Sequence, residues 1–533
     1  MNFDYVIVGG GSAGAVLANR LSERYTVKLI EAGGAGKHPW IRIPLGYGKV
    51  FYDQRFNWAY NTEIDPNIGR AVYWPRGKVL GGSSSINAMV YVRGHAADYD
   101  EWASVAPGWG WSDVEPVFRR MEDWQGPLSA ARGANGPLSV TDMADMVHPL
   151  TNAYLKAAAE AGIPTNRDYN AEEMCGAGIY QITTRNGLRA STAQAYLNSA
   201  ARRDTLNIVT GAMATRVIFD GKRAVGVEYR HHGQTHQARA KAEVILCGGA
   251  INTPQLLHLS GIGPGQQLQK LGLDVVRNAP EVGRNLRDHV GIDLMFSAKQ
   301  NSLNQVLRPW WGKLREGIRY IAVRKGPLSM SLNQGGGFVR LANGSGAPDL
   351  QLYFSPLTYS RAPVGVRPLM SPDPFPAFRL GFNPCKPSST GYLELRSPDP
   401  MDAPLLHANY LDTQEDWQTM IDGFRLIRRI AQTPAFGSMS DHEMDPGPNI
   451  ESDDEITDFV KRECWSVFHQ CGTARMGQDP KTAVVDERLR VHGITGLRVA
   501  DASIFPSIPS GNTNAPAIMV GEKASDIILE DAR

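Results

Sequence analysis

The chain opens on an unbroken apolar run, Tyr5-Val6-Ile7-Val8. A short β-branched and aromatic run without polar alternation predicts a strand buried on both faces, as in a parallel sheet. Gly9, Gly10 and Gly11 end it, and Ala15, Val16, Leu17, Ala18 and Leu21 then recur at helical spacing. A second apolar strand, Tyr25–Ile30, closes a βαβ unit and ends at Glu31. From Leu206 to Leu246 the pattern turns strand-rich, in Leu206–Val209, Ala214–Phe219, Val225–Tyr229 and Glu243–Leu246. Farther on, alternating runs at Leu350–Phe354 and Tyr392–Leu395 predict antiparallel strands under loops. Helical periodicity spans His148–Gly162, and a terminal helix is predicted through Ile518, Met519, Ala524, Ile527 and Ile528, with Pro516 in its first turn. The fold class expected is α/β (α+β): a Rossmann-like domain plus a second domain with a largely antiparallel sheet flanked by helices.

Composition narrows the picture in three ways. A length of 533 residues is ample for large cores without disulfides or metals. With 55 Lys+Arg against 54 Asp+Glu, the net charge of +1 argues against nucleic acid or an anionic membrane surface as the main partner. Five scattered cysteines without a CxxC pair predict neither a disulfide framework nor a structural metal site. The first residues carry no basic, small-residue leader, and no run approaches the ~18–20 apolar residues of a membrane span. The expectation is a soluble cytoplasmic protein with no integral membrane segment.

The turn between the first strand and helix carries chemistry. It reads Gly9-x-Gly11-x-x-Gly14, and the carboxylate Glu31 lies 17 residues beyond Gly14. In such a turn Gly9 bends the chain, Gly11 admits a pyrophosphate to the backbone, and Gly14 lets helix and strand approach. The helix N-terminus offers partial positive charge to the phosphates. Glu31 would bind ribose hydroxyls and repel a 2′-phosphate, which favours FAD or NAD. The same residues, Gly10-Gly11-Ser12-Ala13-Gly14, also match the G-x-S-x-G elbow of serine hydrolases. That alternative leaves Glu31 idle and lacks an earlier loop for an oxyanion hole.

Arg76-Gly77-Lys78-Val79-Leu80-Gly81-Gly82-Ser83-Ser84-Ser85-Ile86-Asn87 resembles the first signature of the glucose–methanol–choline (GMC) oxidoreductases. Gly249–Gly263 (GAINTPQLLHLSGIG) resembles the second, and Phe468–Gly477, Gly496–Ser503 and Asn512-Thr513-Asn514 are similar to the family's C-terminal stretch. The landmarks occur in order over nearly the whole chain. The resemblance implies a two-domain flavoprotein that oxidises alcohols. It implies an FAD-binding domain of residues 1–155, 196–297 and 464–533, and a substrate-binding domain of residues 156–195 and 298–463. Implied cofactor contacts are Gly9, Gly11, Ser12, Ala13, Gly14, Glu31 and Ala32, then Val79, Gly82, Ser83, Asn87, Ala88, Met89 and Val90. Val217 would meet the adenine through its backbone, and Asp501, Ala502, Asn512 and Thr513 would complete the set. Members with covalent FAD carry a histidine where this chain has Ile86, so the implied FAD is noncovalent.

The implied catalytic pair is His469 and Asn512. A histidine with a pKa near working pH suits removal of a hydroxyl proton as hydride leaves the carbon for flavin N5. Asparagine is no base, so Asn512 would orient the substrate oxygen, just before a helix N-terminus able to stabilise negative charge on the reduced flavin. Family members act on choline, sugars, aryl and furanic alcohols, pyridoxine, aliphatic alcohols and polyethylene glycol. The expected substrate is a neutral primary alcohol, aromatic, heteroaromatic or aliphatic, with electrons passed to dioxygen or a quinone-type acceptor. A non-redox lyase of the same family is the second alternative. His231, His232 and His236 read as a solvated hairpin rather than a metal site, and Cys464 and Cys471 as packed residues. Trp310-Trp311 fits either a substrate entrance or plain packing.

Overall fold

The computed structural model describes residues 2–342, 346–359 and 371–533. Five parallel strands lie in the spatial order Leu206–Thr210, Val27–Glu31, Asn2–Val8, Gln234–Leu246 and Leu497–Val499. Their apolar runs are buried in one core with helices Ser12–Leu21 and Asn514–Asp531, which pack on each other. Strand Arg223–His231 extends it by antiparallel pairing with the first half of Gln234–Leu246, and Ala212–Asp220 pairs antiparallel with Arg223–His231 in turn. His231, His232 and His236 sit at the tip of that hairpin.

The helix and strand of the opening unit touch through glycines. A Cβ at Gly14 would lie 1.9 Å from the Gly9 carbonyl oxygen, and one at Gly9, whose φ is +99°, would lie 2.4 Å from the Cys247 carbonyl oxygen. The close approach therefore brings the carboxyl ends of three strands to one place.

A second sheet runs Glu443–Asp445, Val290–Ser297, Ala377–Pro384, Leu350–Ser355, Gly335–Val339 and Gly176–Ile179, all antiparallel. Alternation assigns its faces. Leu350, Leu352, Phe354, Phe378, Leu380 and Phe382 form a core with helix Gln414–Ala431. Gln351, Tyr353, Ser355, Arg379 and Asn383 point the other way, toward the first sheet's crevice. Two elements bear on the expected domain limits. Strand Val290–Ser297, placed before the limit at 297, is internal to the second sheet, and helix Pro149–Glu160, which straddles 155, packs Tyr154 on Phe354. No helix among the described residues is long and apolar enough to cross a membrane.

The Gly14 contact is directly testable. Gly14→Ala forces the helix off the Gly9 carbonyl and is expected to cost about 1–3 kcal/mol, as overpacking does, lowering the melting temperature measured by circular dichroism. An unchanged melting temperature would show that the contact is dispensable.

Candidate active site

One cavity of about 530 Å³ runs from the glycine turn to His469 and Asn512. Its floor is built from the carboxyl ends of parallel strands: Val8 and Gly9, Glu31 and Ala32, Leu246 to Gly248, and Asp501. Open α/β sheets bind their ligands in this position. Ser12–Leu21 begins at Gly11 with no side-chain cap and no acidic residue in its first turn, so its leading N–H groups remain for an anion. A Cβ on Gly11 would meet nothing closer than Gly82 Cα at 3.9 Å, so the backbone there is open to a ligand. Gly82 and Ser83, Asn87 to Val90, and Thr513 line the same space. The donor set fits a dinucleotide pyrophosphate.

Glu31 closes one end. Its Oε1 accepts the Gly33 N–H at 2.7 Å and its Oε2 the Gly10 N–H at 2.8 Å. Burial pushes its pKa up to about 7 against the pull of those two bonds. The carboxyl thus clips the second strand to the glycine turn, and each oxygen keeps a lone pair for a ribose hydroxyl. Asn87 lines the cavity with its amide oxygen already accepting Arg189 Nη1 at 2.8 Å and the Met89 N–H at 3.0 Å.

His469 stands at the far end, buried beneath the second sheet. Its Nδ1 lies 2.9 Å from His289 Nδ1, and its Nε2 lies 3.0 Å from Asn512 Nδ2. His289 Nε2 lies 2.8 Å from the Cys385 carbonyl oxygen, which only accepts. Burial lowers the His289 pKa to about 4, and burial with the neighbouring His289 and Arg76 charges drives that of His469 well below the ordinary value. His289 is therefore neutral at pH 7, and the contacts fix the order of donors. His289 donates from Nε2 and accepts at Nδ1, so His469 carries its proton on Nδ1 and presents a lone pair at Nε2. Gln351 Nε2 donates to Asn512 Oδ1 at 3.1 Å, which turns the Asn512 NH2 toward that lone pair.

The neighbouring residue, Asp288, holds the same segment by its backbone. It accepts the His469 N–H at 2.8 Å, Gln470 Nε2 at 2.8 Å, Ser466 Oγ at 2.5 Å and the Tyr410 hydroxyl. Phe468, with φ of +67°, reverses the chain so that the ring of His469 enters the cavity. Arg76 donates to the Phe468 carbonyl, and its guanidinium, lowered to about 10 by burial, is still cationic at neutral pH.

Most of the residues implied by the resemblance line this one cavity; three do not. Gly14 serves helix packing instead. Val79 is buried in a neighbouring apolar cluster. Val217 gives its N–H to Ser260 Oγ at 2.8 Å, and the residues of its strand that line the cavity are Ala212, Met213 and Ala214, three to five positions earlier. Asp501 lines the cavity and also caps: its Oδ2 accepts the Gly249 N–H at 2.8 Å and Thr253 Oγ1 at 2.6 Å. Ser12 Oγ donates to Asn514 Oδ1 at 2.8 Å rather than to a histidine, which removes the hydrolase elbow. Burial pushes the Cys471 thiol far up, as befits a packed residue. Sequence reasoning missed His289, Gln351, Tyr353 and Asp288. The alternation of Leu350–Phe354 could have flagged Gln351 and Tyr353 as facing away from the core.

Comparison with known proteins identifies the family. Sequence models of the two GMC oxidoreductase domains match residues 3–291 and 387–521. An oxygen-dependent choline dehydrogenase of Vibrio vulnificus (strain YJ016) is 41% identical over 99% of this chain and 94% of its own. The alcohol dehydrogenase [acceptor] of Pseudomonas putida is 41% identical over 99% and 96%. Among solved structures, pyridoxine 4-oxidase from Mesorbium loti superposes with a TM-score of 0.88 at 32% identity, covering 98% of each chain. The chain belongs to the GMC oxidoreductase family.

Proposed function

We propose that this oxidoreductase converts an alcohol to its carbonyl product, with His469 as the base. The observation that carries the proposal is the single tautomer imposed on His469, whose Nε2 lone pair faces the cavity beside the Asn512 amide. A substrate hydroxyl placed between them would donate to His469 Nε2 and accept from Asn512 Nδ2, replacing their direct bond. The proton then rests on His469 Nε2, and the cationic Arg76 guanidinium favours the alkoxide that remains. FAD, the family's cofactor, supplies the two-electron acceptor that takes the hydride. The glycine turn, Glu31, Ser83, Asn87, Ala88, Asp501, Ala502 and Thr513 would hold it. Ile86 offers no nucleophile to the ring, so the cofactor is noncovalent.

The two sheets suggest a matching division of labour. Residues around the parallel sheet would bind the cofactor, and the antiparallel sheet, including Val290–Ser297, would roof the substrate. Phe51, Tyr52, Tyr73, Trp465 and Phe468 wall that end, with Tyr52 and Tyr73 stacked at 5.2 Å and Phe51 against Phe468 at 5.2 Å. Such a wall suits a neutral aromatic, heteroaromatic or aliphatic primary alcohol. Aromatic faces also attract quaternary ammonium groups, and relatives named choline dehydrogenase make a choline-like alcohol the second reading. Anaerobic mixing with a panel of alcohols decides between them: the substrate bleaches the yellow colour, and choline alone doing so would favour the second. If no alcohol bleaches it, the protein is not an alcohol oxidoreductase.

Three outcomes are expected of the purified protein. His469→Ala slows anaerobic reduction about 10²–10⁴-fold while flavin stays bound; reduction at the parental rate would take His469 out of the mechanism. His289→Leu removes the acceptor that fixes the tautomer and slows reduction about 10–100-fold at unchanged flavin content, whereas His289→Gln, which keeps an acceptor and a donor, recovers most of the rate. Equal slowing in both variants would mean that the tautomer is not what His289 provides. Acid precipitation releases yellow flavin into the supernatant, and colour retained in the pellet would contradict noncovalent binding.

A further inference from the structure

Among the described residues eleven large apolar side chains are exposed, and six of them belong to one helix, Trp310–Val323. At about 100° per residue, Trp310, Ile321, Leu314, Ile318 and Trp311 form one continuous stripe, each more than half exposed. The buried residues Gly312, Glu316 and Tyr320 lie on the opposite side, where the Tyr320 hydroxyl donates to the Gly187 carbonyl at 2.8 Å. The helix is thus amphipathic in the reversed sense: it is anchored by a small, polar face and presents its apolar face outward. An apolar stripe of this size on a protein surface marks an interaction site.

Charge indicates what covers it. Lys313 borders the stripe on one side and Arg315 and Arg319 on the other, all exposed. Arg308, Arg324 and Lys325 follow at the ends, so residues 308–325 hold six cations against one acid, Glu316. That acid is buried and already paired, at 2.9 Å to Arg315 and 3.6 Å to Arg319. Lys49 is close enough to Lys313, and Arg42 to Tyr320, for their charges to be felt. A second copy of the chain meeting this face across a two-fold axis would set the cations against each other. Tryptophan and aliphatic side chains between rows of Lys and Arg match the boundary between acyl chains and anionic headgroups.

We propose that helix Trp310–Val323 docks this protein on the surface of an anionic lipid bilayer, lying in the interface with Trp310, Leu314, Ile318 and Ile321 inserted and Lys313, Arg315 and Arg319 at the headgroups. The whole-chain charge of +1 conceals this patch, because it averages a local excess of cations with acids elsewhere.

The test is co-sedimentation of the full-length, flavin-loaded protein with vesicles of phosphatidylcholine alone or with about a third phosphatidylglycerol. The protein is expected to pellet with the anionic vesicles, less so as salt is raised. Trp310→Ser/Leu314→Ser/Ile318→Ser should weaken partitioning about 10–100-fold, and Lys313→Glu/Lys325→Glu should weaken it about 10-fold on anionic vesicles only. These side chains are exposed, so both variants keep their flavin and their rate with a soluble acceptor. The proposal fails if the parent stays in the supernatant with anionic vesicles, or if the triple variant pellets as the parent does. It also fails if light scattering shows a dimer that the triple variant alone dissociates, since the occupant is then a second copy.

Discussion

The site depends on burying two imidazoles against each other. Burial disfavours charge on both His289 and His469, so at rest each satisfies its ring nitrogens as a neutral donor and acceptor. The Cys385 carbonyl at one end admits only one order, and that order runs through both rings to leave a lone pair at His469 Nε2. An unsatisfied buried donor anywhere in this row costs about 1–3 kcal/mol. The tautomer is thus held by the stability of the fold itself, and it exists before any substrate arrives.

This row also explains why two sheets are needed. His469 belongs to the segment that follows the second sheet, yet it faces a crevice made by the first. The dipeptide Asp288-His289 sits at the start of strand Val290–Ser297, so one residue fixes the backbone of His469 and the next fixes its ring. On the other side Gln351, from a neighbouring strand, orients Asn512. The antiparallel sheet therefore aims His469 and Asn512 with one face, while its other face forms the core under helix Gln414–Ala431.

The parts that were legible in the sequence are those whose meaning is local. Gly9, Gly11, Gly14 and Glu31 lie within one βαβ unit, and continuous against alternating apolar runs distinguish the buried parallel strands from the half-polar antiparallel ones. His469 and Asn512 were reachable through resemblance to a family, not through periodicity. His289 was not, because its partner is 180 positions away and nothing near it in the chain differs from an ordinary strand start. Val217 lies off the cavity for a related reason: a strand's pattern shows which residues alternate, but not where a residue such as Ser260, at the end of helix Gly249–Leu259, will take an N–H. Trp310-Trp311 stayed undecided because a five-residue apolar stripe at helical spacing looks the same whether it faces a core or a solvent. Only the burial of Glu316 and Tyr320 opposite shows which way the helix is turned.

The short helix that precedes that one backs the cavity. Leu303 and Leu307, on the short helix just before Trp310, pack in one cluster with Tyr47, Ile86 and Leu332, and those three residues line the cavity. A molecule lying on a bilayer by this helix would bring the adjoining helix Leu303–Leu307, which packs behind the cavity lining, toward the interface. The position matters unequally to the two proposed electron acceptors. Dioxygen reaches a cavity from bulk water and gains little from such placement, whereas a lipid-soluble quinone is concentrated in the acyl layer and depends on it. Docking as proposed would therefore favour the acceptor that dissolves in the membrane over the one that arrives from water.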